Sequence, residues 1–201
     1  PVQMCNLVCI IANRGFYVPP HTVRHIGRGG SARSEYVTRV DVGVKPEYFE
    51  TVVNAMEKVV GPGGTANSIK LSDIVICGKT GTAENFAKIN GKRVKLQDHS
   101  IFVAFAPKDN PKIAIAVFVE NGYWGARWAG PITSLMIEKY IKKKITRTDL
   151  EKRMLEGSLQ GEYNKYYANP IIDTLIKTKI EGSVKPIVIK PAVKVKVAPE
   201  N

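Results

Sequence analysis

An α/β fold of the α+β type, an antiparallel sheet packed by helices, is what this 201-residue sequence predicts, and three observations carry it. Residues 98–106 and 112–120 are two runs rich in apolar residues, separated by Pro107-Lys108-Asp109-Asn110-Pro111. Every residue of that connection favours a turn, so the runs pair as antiparallel neighbours. A third apolar run, Ile74-Val75-Ile76, leads straight into Gly78-Lys79-Thr80-Gly81-Thr82 and reads as a buried strand. Finally, Phe49, Val52, Val53, Met56 and Val59-Val60 recur at helical spacing after Lys45-Pro46-Glu47, which is a helix start with proline in the first turn.

Taken in order, residues 2–13 form the first helix, with Met4, Leu7, Val8, Ile11 and Ala12 as its apolar stripe and Gly15 as its stop. Residues 16–26 are extended around Pro19-Pro20, as an edge strand or a surface connection. His21 and His25 are four apart, a metal-ligand spacing on a helix, but the prolines argue against a helix there. Residues 27–34 read as a loop and 36–44 as a weak strand. Gly61-Pro62-Gly63-Gly64 then ends the second helix abruptly.

Past the Lys79 stretch, Asn90-Gly91 is a strong turn signal within residues 86–97, a polar connection that forms a hairpin extending from the motif strand. With the two later strands, this gives a three-stranded antiparallel sheet that has the motif on its inner strand. A Gly- and aromatic-rich loop, residues 121–130, precedes a helix over 131–144, with Ile132, Leu135, Met136 and Tyr140 as its buried face. Trp124 and Trp128 pack the start of that helix. The alternative is a sugar-stacking platform.

Two regions follow, 1–145 and a C-terminal extension, 146–201. In the extension, residues 148–155 suit one short helix, and the Lys/Pro/Val-rich end is partly extended or disordered, although Val/Lys alternation at 193–197 allows an added strand.

The formal net charge is +12. Residues 1–145 carry 20 Lys/Arg against 11 Asp/Glu and residues 146–201 carry 10 against 7, so the cations are dispersed rather than gathered into a nucleic-acid footprint. Only Lys142-Lys143-Lys144 is a run, and it suits the C-terminal dipole of a helix. No stretch approaches the roughly 18 apolar residues of a membrane-spanning helix. Pro1-Val2-Gln3 has no signal-peptide pattern, and a start in mid-pattern without Met reads as a fragment of a longer protein. Three cysteines make no disulfide framework. Cys5, Cys9 and Cys77 read as small core residues, with a reactive thiol at Cys77 as the alternative.

Lys79 offers an ammonium, Thr80 a hydroxyl, and Gly81 a place where a ligand backbone comes close. Such groups hold a carboxylate while backbone N–H groups stabilise an oxyanion. The bland reading of the same residues is an edge strand whose lysine surfaces, with Thr-Gly making a turn.

Lys79-Thr80-Gly81 is also a motif of active-site-serine penicillin-binding proteins and β-lactamases. Its context is more specific: Gly61-Pro62-Gly63-Gly64-Thr65-Ala66, Gly78-Lys79-Thr80-Gly81-Thr82-Ala83-Glu84, His99-Ser100-Ile101-Phe102-Val103-Ala104-Phe105-Ala106-Pro107 and Ile113-Ala114-Ile115-Ala116-Val117. In that order, after Gln3-Met4-Cys5-Asn6 and Ile11-Ala12-Asn13-Arg14-Gly15, they resemble class B penicillin-binding proteins of the penicillin-binding protein 2 (elongation) type, over about residues 1–144.

The resemblance implies a partial penicillin-binding protein/serine β-lactamase-like transpeptidase fold and the cross-linking of peptidoglycan stem peptides through an acyl-enzyme serine. Lys79 would stabilise the substrate carboxylate, the Thr80 and Thr82 hydroxyls would hydrogen-bond it, the Thr82 N–H would be half of the oxyanion hole, and Gly81 would leave room for the substrate backbone. No cofactor or metal is implied. The implied partners are D-Ala-D-Ala stem peptides, β-lactams, the upstream half of the domain and a glycosyltransferase of the elongation machinery, on the periplasmic side of the inner membrane.

The sequence departs from the family in one respect. No serine is followed by Lys at the third position or by Asn at the second, so the Ser-x-x-Lys nucleophile and the Ser-x-Asn relay are missing. Tyr167-Ala168-Asn169 mimics a relay, but it follows the motif strand, out of the family's order. The expectation is a C-terminal portion, inactive alone. The alternative is a non-catalytic module that binds D-Ala-terminated peptide or anionic cell-wall polymer.

Overall fold

In the computed structural model, residues 1–23, 25, 27, 30–89 and 91–160 are described. The chain divides into two units, Pro1–Leu159 and Gln160–Asn201. The relay mimic at 167–169, the Val/Lys alternation at 193–197 and the expected tail end all lie outside the described residues, as does Asn90 of the expected turn.

The first unit is organised by three antiparallel strands: β3 (Cys77–Ala83), β6 (His99–Ala106) and β7 (Ile113–Val119), in the order β3-β6-β7. The motif strand is therefore an outer strand, which corrects the expected inner position. The connection between β6 and β7 is short and makes them neighbours, but β3 is added on the far side of β6, with Cys77 opposite Phe105 and Ala83 opposite His99. Two short elements with a turn signal fix each other's pairing. They say nothing about which edge a third strand takes.

Central β6 is buried on both faces, which is why its sequence is nearly continuously apolar. Val103 and Phe105 point into a cluster with Val8, Ala12, Val53 and Met56 of α1 (Val2–Ala12) and α2 (Pro46–Val60). Phe102, Ala104 and Ala106 point the other way, toward Ile69, Ala129 and Ile137, the last two on α3 (Ala129–Lys142). Phe102 and Phe105 are fully buried, each contributing roughly 1.5–3 kcal/mol in transfer free energy. α1 lies on β6 and β7, α2 on β3, and α3 across β6 and β7.

Short pieces complete the unit. β1 (Phe16–Tyr17) pairs with β2 (Val40–Asp41), so the strands expected over 16–26 and 36–44 shrink to two residues each. β4 (Phe86–Ile89) pairs with β5 (Lys92–Lys95) as the expected hairpin, in a sheet of its own. α4 (Thr148–Glu156) packs on α3 and matches the helix expected over 148–155.

Several buried faces differ from expectation. Met4 and Leu7 of α1 are exposed, as are Met136 and Tyr140 of α3, whereas Ile137 and Glu138 are fully buried. Helical spacing alone leaves the stripe free to rotate by a residue, and a buried glutamate hides its own face. Ile74, Val75 and Ile76 precede β3 instead of forming it, and Val75 is exposed. α3 also begins at Ala129, with Pro131 in its first turn, where no N–H is missed.

Candidate functional site

The motif residues sit on β3, with Lys79 opposite Val103, Thr80 opposite Phe102, Gly81 opposite Ile101 and Thr82 opposite Ser100. Facing residues of an antiparallel pair share a side of the sheet. Lys79 and Gly81 thus lie on the side of α1 and α2, and Thr80 and Thr82 on the side of α3. Lys79 and Thr82 are exposed, Thr80 and Gly81 half-buried. The Lys79 ammonium donates to the Thr80 carbonyl at 2.8 Å and to its hydroxyl oxygen at 3.4 Å, so cation and hydroxyl share one small area of surface. As an outer strand, β3 also presents a row of main-chain donors and acceptors that β6 does not use, a template for an extended peptide.

What holds this strand in place is mostly hidden from the sequence. A Cβ on Gly78 would stand 2.7 Å from the Phe102 ring, so only glycine lets β3 lie over that buried phenyl group. The turn after β7 is pressed against the motif itself: a Cβ on Gly125 would come 2.2 Å from the Ile101 carbonyl oxygen, 3.0 Å from the Gly81 oxygen and 3.1 Å from the Gly81 nitrogen. Buried Ser100 fixes that turn, donating to the Trp124 carbonyl at 2.9 Å and accepting from the Ala129 N–H at 3.2 Å. The Asn121 N–H donates to His99 Nδ1 at 2.9 Å, and the Asn85 amide donates to the Asn121 side chain at 2.8 Å.

Ser100, Asn121 and Gly125 are therefore positioning residues that sequence reasoning missed. A glycine in a Gly-rich turn gives no signal of close approach until another strand is beneath it. The two tryptophans separate here. Trp128 is half-buried at the start of α3, as expected, whereas Trp124 is exposed, with its ring edge-on to Tyr123 at 6.0 Å and Arg127 at 5.3 Å.

The segment before β3 is held by a buried ionic cluster. Glu138, with no exposed side-chain surface, accepts from Arg147 Nε at 3.0 Å and from the Thr146 N–H at 3.2 Å and hydroxyl, with Lys142 3.6 Å away. Lys142 also pairs with Asp73 at 2.8 Å, and Arg147 reaches the Ile69 carbonyl at 3.4 Å. Burial alone raises the Glu138 pKa, but hydrogen bonds from Thr146 and Arg147 outweigh it and leave the carboxyl below its ordinary value.

Cys77 is fully buried, and burial pushes its thiol up to about 12, so it packs as a small apolar group rather than a nucleophile. Cys5 and Cys9 are half-buried on α1. Among the described residues, no three His, Cys, Asp or Glu side chains come together as metal ligands. His21 Nδ1 instead donates to the Pro19 carbonyl at 2.8 Å, and its ring stacks on Tyr36 at 4.8 Å. An apolar cavity of about 600 Å³ lies between α3 and α4, by β7, at the opposite edge of the sheet from the motif strand. None of the described helices is long and apolar enough to cross a membrane.

Residues 1–138 match the family model of the penicillin binding protein transpeptidase domain. The peptidoglycan D,D-transpeptidase MrdA of Acinetobacter baumannii is 35% identical over 144 residues, 66% of this chain and 21% of its own length. Penicillin-binding protein 2A of Bacillus subtilis is 29% identical over 185 residues, 84% of this chain and 25% of its own. Among solved structures, Pseudomonas aeruginosa PBP2 in complex with WCK 5153 has a TM-score of 0.55 at 27% identity, covering 74% of this chain and 31% of that one. The penicillin G acyl-enzyme of penicillin-binding protein A from Mycobacterium tuberculosis has a TM-score of 0.52 at 28% identity, covering 68% and 31%. This chain thus spans a fifth to a quarter of the length of these curated relatives.

Proposed function

Because this chain belongs to the penicillin-binding protein transpeptidase domain family, we propose that it is the C-terminal portion of an elongation-type peptidoglycan D,D-transpeptidase and supplies the substrate-binding strand of its site. The observation that carries this is the outer position of β3 among the described strands, with Lys79, Thr80, Gly81 and Thr82 along it. A stem peptide or β-lactam adds along this strand. Lys79 and the Thr80 and Thr82 hydroxyls hold its carboxylate, Gly81 admits its backbone, and the Thr82 N–H gives half of the oxyanion hole.

The acylated serine, its lysine and the Ser-x-Asn relay come from an upstream segment, since no serine in this sequence has that spacing. On this reading residues 1–145 carry the domain portion and 146–201 an extension, and the parent works with a glycosyltransferase at the periplasmic face of the inner membrane. The chain alone binds but does not turn over substrate.

The test is labelling by fluorescent penicillin with intact-mass analysis, on this chain and on a version extended upstream through a Ser-x-x-Lys. Acylation of the extended protein alone is the expected result. An adduct on this chain by itself would overturn the assignment of the nucleophile, and no adduct on either would overturn the transpeptidase reading.

A further inference from the structure

Two of the chain's three cysteines lie on α1. Cys5 and Cys9 are four residues apart on an 11-residue helix, so their side chains stand one turn apart on the same face. Both are half-buried, beside fully buried Val8. The Cys5 thiol donates to the Ala114 carbonyl of β7 at 3.5 Å, which places the pair where α1 meets the sheet. The two thiols also meet each other. Burial first, then the charge of Cys5 and a side-chain hydrogen bond with it, raise the Cys9 thiol.

Two chemistries can join such a pair, and lengths decide between them. A disulfide needs β-carbons about 3.5–4.5 Å apart, whereas helix positions i and i+4 hold them about 5–6 Å apart. Closing that bond would unwind a turn of α1. A single ion between the thiolates needs no such movement, because two metal–sulfur bonds of about 2.3 Å in line set the sulfurs about 4.6 Å apart.

The ligands around the pair decide which ion. Among the described residues no three His, Cys, Asp or Glu side chains come together, and the remaining cysteine, Cys77, is fully buried on β3. A structural zinc ion takes a full tetrahedral set, and calcium or magnesium takes a shell of oxygens. A soft monovalent ion favours thiolates and is held by two of them in line.

We propose that Cys5 and Cys9 form a two-thiolate site for one soft monovalent cation, Cu(I), which bridges successive turns of α1 where the helix meets β7. Cu(I) arrives on a weaker ligand. Two S–H bonds break and two Cu–S bonds form, both protons leave to solvent, and no electron is transferred. The site stands apart from the reading of β3 as the peptide strand and does not depend on it.

The experiment is native mass spectrometry of the full chain, loaded anaerobically with Cu(I) in ascorbate and then challenged with the Cu(I) chelator bicinchoninate. Wild type and C77S are expected to keep one ion with the loss of two protons, and C5S and C9S to keep none, all with the same circular dichroism spectrum. X-ray absorption at the copper edge should show two sulfur neighbours and no nitrogen or oxygen. Ag(I), equally soft, should displace the copper, and Zn(II) should not.

Retention by C5S or C9S, or its loss in C77S, would put the ion elsewhere and overturn the site. No retention by wild type would leave the pair as packing residues alone. Oxygen or nitrogen around the copper, or ready displacement by Zn(II), would refute a two-thiolate site for a soft ion. If oxidised glutathione converts the wild type to a Cys5–Cys9 disulfide while the helix content stays unchanged, the argument from lengths fails and the pair is a redox couple instead.

Discussion

Gly125→Ala tests the claim that the turn after β7 sets the position of the motif strand. An added Cβ would stand 2.2 Å from the Ile101 oxygen, where ordinary contact begins near 3.4 Å, so the turn and the β3–β6 pair must part by about 1.2 Å. Backbone atoms form all three of its closest contacts, so no side chain can swing away to relieve it. Overpacking of this kind costs roughly 1–3 kcal/mol. For a chain of this length about 2 kcal/mol lowers the melting temperature by about 4–8 °C.

The displacement falls on Gly81 and its neighbour Thr82, so the β3 amides should exchange faster while those of α1 keep their protection. On the proposed role of the Thr82 N–H, an error of about 1 Å in its position should cost about 100-fold in the rate of penicillin acylation of a protein extended upstream. A melting temperature within 1 °C of wild type, with β3 exchange unchanged, would refute the buttress, because a methyl group accommodated so easily cannot be meeting a fixed backbone.

Other consequences follow from the same contacts. Glu138→Ala leaves Arg147 and Lys142 without their buried partner and should cost about 3–5 kcal/mol in urea unfolding, whereas Glu138→Gln, which keeps the shape, should lose less. Since the folded pKa lies below the ordinary 4.5, the stability Glu138 contributes is complete above that value and is lost as pH falls through the folded pKa. The gap between wild type and Glu138→Ala should therefore close in acid below pH 4.5, and a gap independent of pH would exclude the charge as its source. A thiol reagent at mildly alkaline pH should modify half-buried Cys5 first, Cys9 more slowly because burial and the neighbouring Cys5 raise its thiol, and Cys77 only on unfolding, as counted by mass; prompt modification of Cys77 would contradict its burial. Phe102→Ala empties the space under Gly78 and should cost about 3–5 kcal/mol, measured by calorimetry, while an equivalent loss below 1 kcal/mol would mean that β3 does not rest on that ring.

The sequence by itself determined the class of fold, the helices α1, α2, α3 and α4 to within about two residues, and the pairing of β6 with β7, because each of these rests on local chemistry. Periodicity, a helix opened by Pro46, a turn of Pro, Asp and Asn, and the ordered blocks around Lys79 all act within a few residues of one another. The family and its motif strand were legible for the same reason. Only the tertiary structure decided that β3 lies at the edge of the sheet, since a strand's place depends on which neighbour it finds across a long connection and not on its own residues. The same holds for Glu138, which reads as solvated helix surface until Thr146 and Arg147 fold back onto it, and for Gly125, whose lack of a side chain matters only once Gly81 and Ile101 lie against it. Local pattern selects the elements, while close contacts between residues far apart in the chain select which of their atoms the site depends on.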